Sequence, residues 1–183
     1  MIPREPILTE RLRLEPVGPE HAEQIWNAAE ASLDELRPWL PWARAASPEA
    51  SRDFAERSET AWVADTDYAF TVMEEGEVVG GVGLHTPRLE GLGEIGYWSR
   101  TDRTRRGYTT EACNALLAFA FQTVGLYRVE LRAGVENRAS QRVAEKLGFR
   151  LEGTLRQGCP SGEGGGYDCL LYGLLASDGP SSP

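Results

Sequence analysis

The sequence has 183 residues, of which 41% are hydrophobic and 26% charged, and these proportions fit one globular domain able to bury a sizeable core. It contains no apolar run near the ~20 residues that span a bilayer, and its first residues, MIPREPILTE, lack the apolar centre of a signal peptide, so we expect a cytoplasmic protein without membrane partners. The net charge of −9 argues against direct nucleic-acid binding and mildly favours a cationic substrate.

The first third of the chain combines one strand with two helices. Leucines alternating with charged residues predict a strand at Thr9–Glu15. An apolar stripe at helical spacing then predicts a helix over about Glu20–Ser32. Two prolines prevent a regular helix in the following LRPWLPWA segment. Ser47 offers an N-cap before a proline, which predicts a second helix over about Glu49–Trp62.

The remaining elements alternate between strands and helices. In chain order they are strands at Tyr68–Met73, Val78–Leu84 and Glu94–Ser99, a helix at Gly107–Val124, a strand at Tyr127–Ala133, a helix at Arg138–Leu147, and strands at Phe149–Arg156 and Tyr167–Leu175. Glu74–Glu77 reads as a hairpin connection, and a glycine-rich loop, GCPSGEGGG, precedes the last strand. This order predicts a mixed α/β fold in one domain, residues 1–176, with a disordered tail at 177–183.

A basic turn stands out against the acidic background. Four arginines within seven residues are opposed only by Asp102, which gives a local charge of 4 − 1 = +3; they are Arg100, Arg103, Arg105 and Arg106. The turn follows a predicted strand and leads through Gly107 into a predicted helix. A solvated basic surface on an ordinary strand–loop–helix connection would show the same composition.

The helix that begins after Gly107 could bind a diphosphate. A helix N-terminus leaves backbone N–H groups without internal partners and carries a partial positive charge. Gly107 has no Cβ, so an oxyanion can approach the backbone closely, and Thr109 and Thr110 add hydroxyl donors. The GxGxxG and GxxxxGK[ST] patterns are absent, which disfavours dinucleotides and nucleoside triphosphates.

A second segment, NRASQRVAEKLGF followed by LEGTLR, begins with Asn137. Asn137 can cap the helix that follows, and Gly148 is a natural residue just past its end. Capping alone would explain Asn137.

Together the two segments resemble the GNAT acetyltransferases. The phosphate loop of that family, Gln/Arg-x-x-Gly-x-Gly/Ala, falls on residues 104–109, where Gly107 matches while Thr104 and Thr109 depart. The segment from Asn137, N-x-x-S-x-x-V-x-E-K-L-G-F, is similar to the family's helix beside the pantetheine arm. The resemblance covers Thr9 to Leu175 and is strongest to the RimJ/RimL-type ribosomal-protein N-terminal acetyltransferases.

The resemblance implies a fold and a cosubstrate. We expect a GNAT fold, with a mixed, mostly antiparallel, seven-stranded sheet whose fourth and fifth strands splay apart, flanked by about four helices. Acetyl-CoA would be the cosubstrate, without a metal, and a homodimer is the family-level expectation. The expected coenzyme-binding residues are Tyr97, Trp98 and Ser99 through their main chain, Arg105, Arg106, Gly107, Tyr108, Thr109 and Thr110 in the loop, and Asn137.

The resemblance also implies catalytic residues. Many relatives carry a tyrosine acid where this sequence has Ala144, and Ser140 is the expected substitute, although a bond to the helix backbone is an alternative for it. Glu94 could take the amine proton through water, and a surface carboxylate is an equal alternative. A glutamate of some relatives aligns with Cys159, so that role is either vacant here or filled by a different residue. His21 and His85 are interpreted as structural or surface residues.

The expected reaction is acetyl transfer to a primary amine. Deprotonation at pH 7 costs about 1.4 kcal/mol for an α-amine of pKa ~8 and about 4.6 kcal/mol for lysine at ~10.4. A site without an evident strong base therefore suits a protein N-terminus. Trp39 and Trp42 resemble the substrate lip, with core packing as the alternative. The rival hypotheses are acetylation of a polyamine, aminoglycoside or amino-acid conjugate, and a non-catalytic acyl-CoA-binding regulatory domain.

The three cysteines, Cys113, Cys159 and Cys169, form no CxxC pair and have no histidine at zinc spacing. We therefore expect free thiols in a reducing compartment.

Overall fold

One mixed sheet organises residues 2–86, 91–161 and 165–178, which are the residues that this computed structural model describes. Its eight strands within those ranges are β1 (Ile7–Leu8), β2 (Arg13–Pro16), β3 (Asp67–Glu74), β4 (Glu77–His85), β5 (Leu92–Ser99), β6 (Arg128–Gly134), β7 (Arg150–Pro160) and β8 (Gly166–Leu175). In space they lie in the order β1-β2-β3-β4-β5-β6-β8-β7. The pair β5–β6 is parallel and the other neighbours are antiparallel.

Helices cover both faces of the sheet. They are α1 (Ala22–Glu30), α2 (Leu33–Leu36), α3 (Pro48–Val63), α4 (Tyr108–Ala118), which continues as a π-helix at Phe119–Val124, and α5 (Arg138–Lys146). In the described ranges no helix combines the length and the apolar character that a membrane crossing requires. The mixed α/β fold predicted from the sequence is confirmed.

The N-terminal edge differs from the prediction. The predicted strand Thr9–Glu15 is wrong at its start, because the Thr9 N–H donates to the Leu12 carbonyl (3.0 Å) and closes a turn. The strand begins at Arg13, and the preceding residues Ile7–Leu8 pair with it as β1. This extra strand makes the described sheet eight-stranded rather than seven-stranded.

Helix and turn signals in the sequence are confirmed at several ends. The Ser47 hydroxyl accepts the Ala50 N–H at 3.0 Å and caps α3. Gly125 follows the π-helix and Gly148 follows α5, both in the left-handed region, with φ of 80° and 81°. Glycine adopts that conformation without steric cost, so these helices end where the sequence indicated.

Alternation along β3 separates two apolar layers. Phe70 and Tyr68 pack against Phe119 of the π-helix, with ring centroids 5.5 and 5.3 Å apart. Ala69 lies between them in the sequence and belongs instead to a second apolar cluster, which includes Ile25 of α1. The α4–α5 layer and the α1 layer therefore lie on opposite faces of the sheet.

The sheet splits between β5 and β6, as predicted. The two strands pair only at Leu92–Arg128, Gly93–Val129 and Glu94–Glu130. Beyond Glu94, β5 stays paired with β4 while β6 stays paired with β8. A gap therefore opens at the C-terminal ends of two neighbouring parallel strands, where α/β sheets commonly bind ligands.

The prediction of three free thiols is wrong for two cysteines. Cys159 on β7 and Cys169 on β8 form a disulfide, with their Cα atoms 5.7 Å apart. A register irregularity between Leu155 and Cys159 brings these positions together on adjacent strands. Cys113 is a fully buried free thiol whose pKa is raised by burial. Residues 162–164 of the predicted loop and 179–183 of the predicted tail lie outside the described residues.

Candidate active site

The loop before α4 presents a row of free backbone donors. Across the described residues, no acceptor receives a backbone N–H from Arg105 through Thr110, and the first helical bond is Glu111 N–H to Gly107 O at 3.0 Å. Arg105 and Gly107 have φ of 62° and 83°, which turns the chain sharply into the helix. Successive N–H groups at a helix start form a concave site for an anion.

Arg11, in the turn between β1 and β2, holds this loop in place. Its Nη1 donates to the Arg106 carbonyl at 3.0 Å, which ties the loop to the turn between β1 and β2. Its Nε donates to Glu111 Oε2 at 2.8 Å, and its guanidinium lies 4.8 Å from the centre of the Tyr108 ring. The sequence analysis missed this role, because the contacts join residues about one hundred positions apart.

The basic turn is less positive than the sequence indicated. Arg100 donates to both carboxylate oxygens of Asp102, at 2.8 and 2.7 Å. Arg103 bonds Glu74 at 3.2 Å and Glu77 at 2.7 Å. The hairpin glutamates from β3 and β4 therefore neutralise charge that appeared unopposed along the chain.

Arg105 and Arg106 keep their charge available. Both side chains are exposed, and neither forms an ion pair or hydrogen bond with a described residue. They flank the free N–H groups, where a guanidinium adds forked donors to the backbone site. Of the four arginines, these two are the ones placed to meet an anion.

The three residues that open α4 have different surroundings. The Tyr108 side chain is buried and donates to Glu74, so only its main chain is open to a ligand. The Thr109 hydroxyl lies 2.6 Å from the Ser99 hydroxyl and joins the start of α4 to the end of β5. Thr110 lines a cleft beside Gly107.

This cleft, of ≈ 410 Å³, brings the two sequence motifs together. Its lining combines the start of α4 with the end of α5, and the residues are Gly107, Thr110, Glu111, Asn114, Lys146 and Leu147. Lys146 is the single lysine of the sequence and is exposed here. Lys146 is thus a third cation beside the anion site. The sequence analysis did not assign it to the site, because Lys146 lies at the end of α5, about forty residues after the basic turn.

The end of β5 offers main-chain groups to the gap. The Arg100 N–H donates to Val79 O on β4, at 2.9 Å. Because main-chain groups alternate sides along a strand, those of Trp98 also face β4, whereas those of Tyr97 and Ser99 face the gap. Tyr97 and Ser99 are therefore better placed than Trp98 to bond an extended ligand there.

Ser140 and Tyr97 meet at the gap on the α5 side. Asn137 caps α5 by accepting the Ser140 N–H at 3.1 Å, as predicted. The Ser140 hydroxyl oxygen lies 2.7 Å from the Tyr97 phenolic oxygen. The Tyr97 hydroxyl also donates to the Ser140 carbonyl oxygen at 3.3 Å. Burial raises the pKa of Tyr97, so its hydroxyl stays protonated and can donate. The sequence assigned Tyr97 only a main-chain role.

Glu94 lies on the opposite face. It is three residues before Tyr97, so strand alternation directs the two side chains to different faces. Glu94 is the last β5 residue paired with β6, and its carboxylate lies 3.7 Å from Arg132 Nε. Burial is the main cause that raises the pKa of Glu94, and the neighbouring Glu130 adds to it, while Arg132 and His85 oppose it.

The two tryptophans predicted at the substrate lip lie on opposite sides of the split, Trp42 beside β5 and Trp39 beside β8. Trp42 packs edge-on against Trp98 of β5, with centroids 5.9 Å apart, and stays 43% exposed. Trp39 packs against Tyr167 of β8, which donates to the Trp39 carbonyl at 3.1 Å. A Cβ added at Gly134, the end of β6, would lie 3.2 Å from the Trp39 ring. The segment carrying both rings therefore bridges the mouth of the gap.

Two independent features of this arrangement match the chemical structure of acetyl-CoA. Its diphosphate matches the row of unpaired N–H groups with Arg105 and Arg106 beside them, and its extended pantetheine arm matches the free edge of β5. A thioester held along that edge would have hydroxyl donors on one face of the sheet and a carboxylate on the other.

Comparisons with known proteins identify the family of this chain. A family model described as Acetyltransferase (GNAT) domain matches residues 11–150. A relative from Bacillus subtilis (strain 168), “Putative ribosomal N-acetyltransferase YdaF”, is 28% identical over 173 residues, which cover 92% of this chain and 93% of the relative.

Two solved structures share the fold over most of their length. Mycobacterium smegmatis RimJ in complex with CoA-disulfide has a TM-score of 0.85 and 27% identity, covering 93% of this chain and 85% of that one. RimL, a ribosomal L7/L12 alpha-N-protein acetyltransferase in complex with coenzyme A, has a TM-score of 0.87 at 20% identity, covering 93% and 98%. At 20% identity, the similarity to RimL is evidence for the fold alone.

Proposed function

This chain belongs to the GNAT acetyltransferase family, and from that premise we propose that it transfers the acetyl group of acetyl-CoA to the N-terminal α-amine of a protein or peptide. Family membership makes the chain an acyltransferase. The observation that carries the finer proposal is the split between β5 and β6, which has the anion cradle at one end, hydroxyl donors on one face and a carboxylate on the other.

The coenzyme-binding part of the proposal uses main-chain groups first. The free N–H groups from Arg105 to Thr110 hold the diphosphate, and the guanidinium groups of Arg105 and Arg106 reinforce them. The Tyr97 and Ser99 main chain bonds the pantetheine arm along the free edge of β5. Asn137 acts through the cap that orients the first turn of α5.

The chemical step uses opposite faces of the sheet. Acetyl-CoA supplies an activated thioester, which an amine can attack directly in a ternary complex. Ser140, held by Tyr97, donates a hydrogen bond to the departing thiolate, which needs little more because a thiol of pKa ~8.5 leaves readily. Glu94 lies on the face from which we infer that the amine enters, where its carboxylate attracts the ammonium form of the acceptor. Backbone N–H groups that face the gap polarise the thioester carbonyl.

The choice of an α-amine rests on three arguments. Relatives bear names that describe ribosomal-protein acetylation, including the Bacillus subtilis protein. An α-amine is deprotonated at about 3 kcal/mol less cost than lysine at pH 7, which suits a site without an evident strong base. The exposed Trp42 at the mouth offers a flat apolar surface on which the first residues of a peptide can lie.

An acceptor panel tests this proposal. Purified protein is incubated with acetyl-CoA and each of three acceptor classes, and acetylated products are identified by mass spectrometry. The classes are peptides with the N-termini of ribosomal proteins, the same peptides with a blocked α-amine and an internal lysine, and the small amines spermidine and kanamycin. We expect free N-terminal peptides to give a kcat/KM at least tenfold above the other classes.

Other outcomes of the panel are equally informative. Faster turnover of spermidine or kanamycin would replace the peptide by a small amine as substrate. Coenzyme binding without turnover of any acceptor would contradict the catalytic proposal and leave a binding domain.

A further inference from the structure

His85, which the reaction scheme above does not use, lies beside the gap between β5 and β6, on the same face of the sheet as Glu94. His85 ends β4 directly opposite Glu94 of β5, so the two side chains share one face of the sheet. Its Nδ1 lies 2.5 Å from Asp67 Oδ2, on β3. Three adjacent strands thus align Asp67, His85 and Glu94 in one row that ends at the last paired position of β5 and β6.

Two glycines give the imidazole room to lie toward the gap. Gly83 and Gly96 are cross-strand partners on the same face, next to the His85–Glu94 pair. A Cβ added at Gly96 would lie 3.6 Å from His85 Nε2, and one added at Gly83 would lie 3.9 Å from the same atom. The ring therefore covers the two glycines, with Nε2 near Gly96. Gly96 is two residues past the last β5–β6 pair, where the edge of β5 is free.

The bond to Asp67 fixes the tautomer of the ring. With Nδ1–H donating to the carboxylate, neutral His85 carries its lone pair on Nε2. Nε2 has no hydrogen-bond partner among the described residues. Asp67 also favours the imidazolium once a proton arrives, in the same way that a carboxylate orients and supports a catalytic histidine elsewhere.

We propose that His85, oriented by Asp67, is the group that removes the proton from the attacking amine, with Glu94 beside it attracting the ammonium form. This proposal rests on the function proposed above and names the base of that same site. An ammonium acceptor loses one proton to Nε2, the free amine attacks the acetyl carbon, and the carbon–sulfur bond breaks. The second amine proton ends on the coenzyme thiol, and the proton on His85 passes to solvent, to which the half-exposed ring is open.

The surrounding charges make His85 a stronger base than a free imidazole. Asp67 is the largest cause that raises the pKa of His85, and Glu94 adds to it, while partial burial lowers it. Arg132 and Glu130 of β6 face Glu94 in turn. A raised pKa means that the imidazole is charged below it and becomes a base as the pH rises through it. Activity with an amine acceptor therefore rises across that range, and general bases are most effective when their pKa lies near the working pH.

The test combines a titration with kinetics. The sequence has two histidines, His21 and His85, so ¹⁵N NMR of the imidazoles resolves both in the protein without coenzyme. We expect the pKa of His85 to lie above 6.5 and to fall in Asp67→Asn. The matched control Asp65→Asn removes a carboxylate that bonds Tyr68 instead, and it should leave the His85 titration unchanged.

In kinetics, His85→Gln should lower kcat for the preferred amine about 100-fold at pH 7, within the range usual for a general base, and leave coenzyme affinity by calorimetry unchanged. The rising limb of the pH profile should disappear in His85→Gln and move to lower pH in Asp67→Asn. Turnover of His85→Gln within threefold of wild type, or loss of the limb only in Glu94→Gln, would overturn the assignment and leave the proposed function standing. A wild-type protein that acetylates no amine would instead overturn the proposed function itself.

Discussion

The phenolic oxygen of Tyr97 lies 2.7 Å from the hydroxyl oxygen of Ser140, and this hydrogen bond joins the free end of β5 to the first turn of α5. Tyr97 is half-buried and its pKa is raised by burial, so its hydroxyl stays protonated and can donate to Ser140 while Ser140 donates onward into the gap. A serine alone is free to rotate toward its own helix backbone. The hydrogen bond to Tyr97 gives the Ser140 hydroxyl a defined direction.

We therefore predict that Ser140→Ala lowers kcat about tenfold or more with little change in KM for acetyl-CoA, because the lost hydrogen bond serves the departing thiolate. Tyr97→Phe should have a smaller effect in the same direction, since Ser140 remains. Steady-state kinetics of thiol release measure both. Tyr172→Phe is the matched control, as it removes the hydroxyl of a buried tyrosine from the core cluster against which Tyr97 packs. Unchanged kcat in Ser140→Ala would show that this hydroxyl does not act on the thiolate.

The lip tryptophans should affect the acceptor rather than the coenzyme. Trp42→Ala removes an exposed ring from the mouth of the gap, so we expect KM for a peptide acceptor to rise about fivefold or more while KM for acetyl-CoA stays constant. Phe54→Ala, which truncates an exposed aromatic side chain on α3, controls for loss of surface area. Equal effects of both substitutions would exclude a specific role for Trp42.

The disulfide should contribute to stability. Cys159 and Cys169 are ten residues apart, and closing a loop of that length stabilises a fold by roughly 2–3 kcal/mol. For a domain of this size, reduction should lower the melting temperature by about 5–10 °C. Calorimetry with and without reductant measures the change, and the double variant Cys159→Ala/Cys169→Ala should be insensitive to reductant. An equal melting temperature in both conditions would contradict a structural role for the bond.

The sequence predicted local features well because their causes are local. Asn137, Ser47 and the glycines that end the helices act on backbone groups within a few residues, so spacing alone revealed them. The split between β5 and β6 followed from the resemblance carried by the two motifs around Gly107 and Asn137.

Features that depend on distant contacts could not be predicted from the sequence. Glu74 and Glu77 reduce the charge of the basic turn because β3 and β4 bring them beside Arg103, which no spacing along the chain indicates. His85 was interpreted as structural or surface because it has no neighbour in sequence that would orient it. Its partner Asp67 is eighteen residues away and meets it only through the register of two strands.

The central claim is that unpaired backbone N–H groups before α4 bind the diphosphate of the coenzyme. Gly107 and Gly125 both have positive φ and lie at opposite ends of the same helical segment, so aspartate at either position meets a similar backbone constraint. A Cβ at position 107 would lie 3.5 Å from Arg11 Nη2 and one at position 125 would meet no atom within 4 Å, so both positions have room for the side chain.

Isothermal titration of coenzyme A into wild type, Gly107→Asp and Gly125→Asp measures this most directly. We predict that the carboxylate at position 107 lowers affinity at least 30-fold, because it places a negative charge in the anion site, and that Gly125→Asp binds within threefold of wild type. Undiminished affinity in Gly107→Asp, or an equal loss in both variants, would contradict the account.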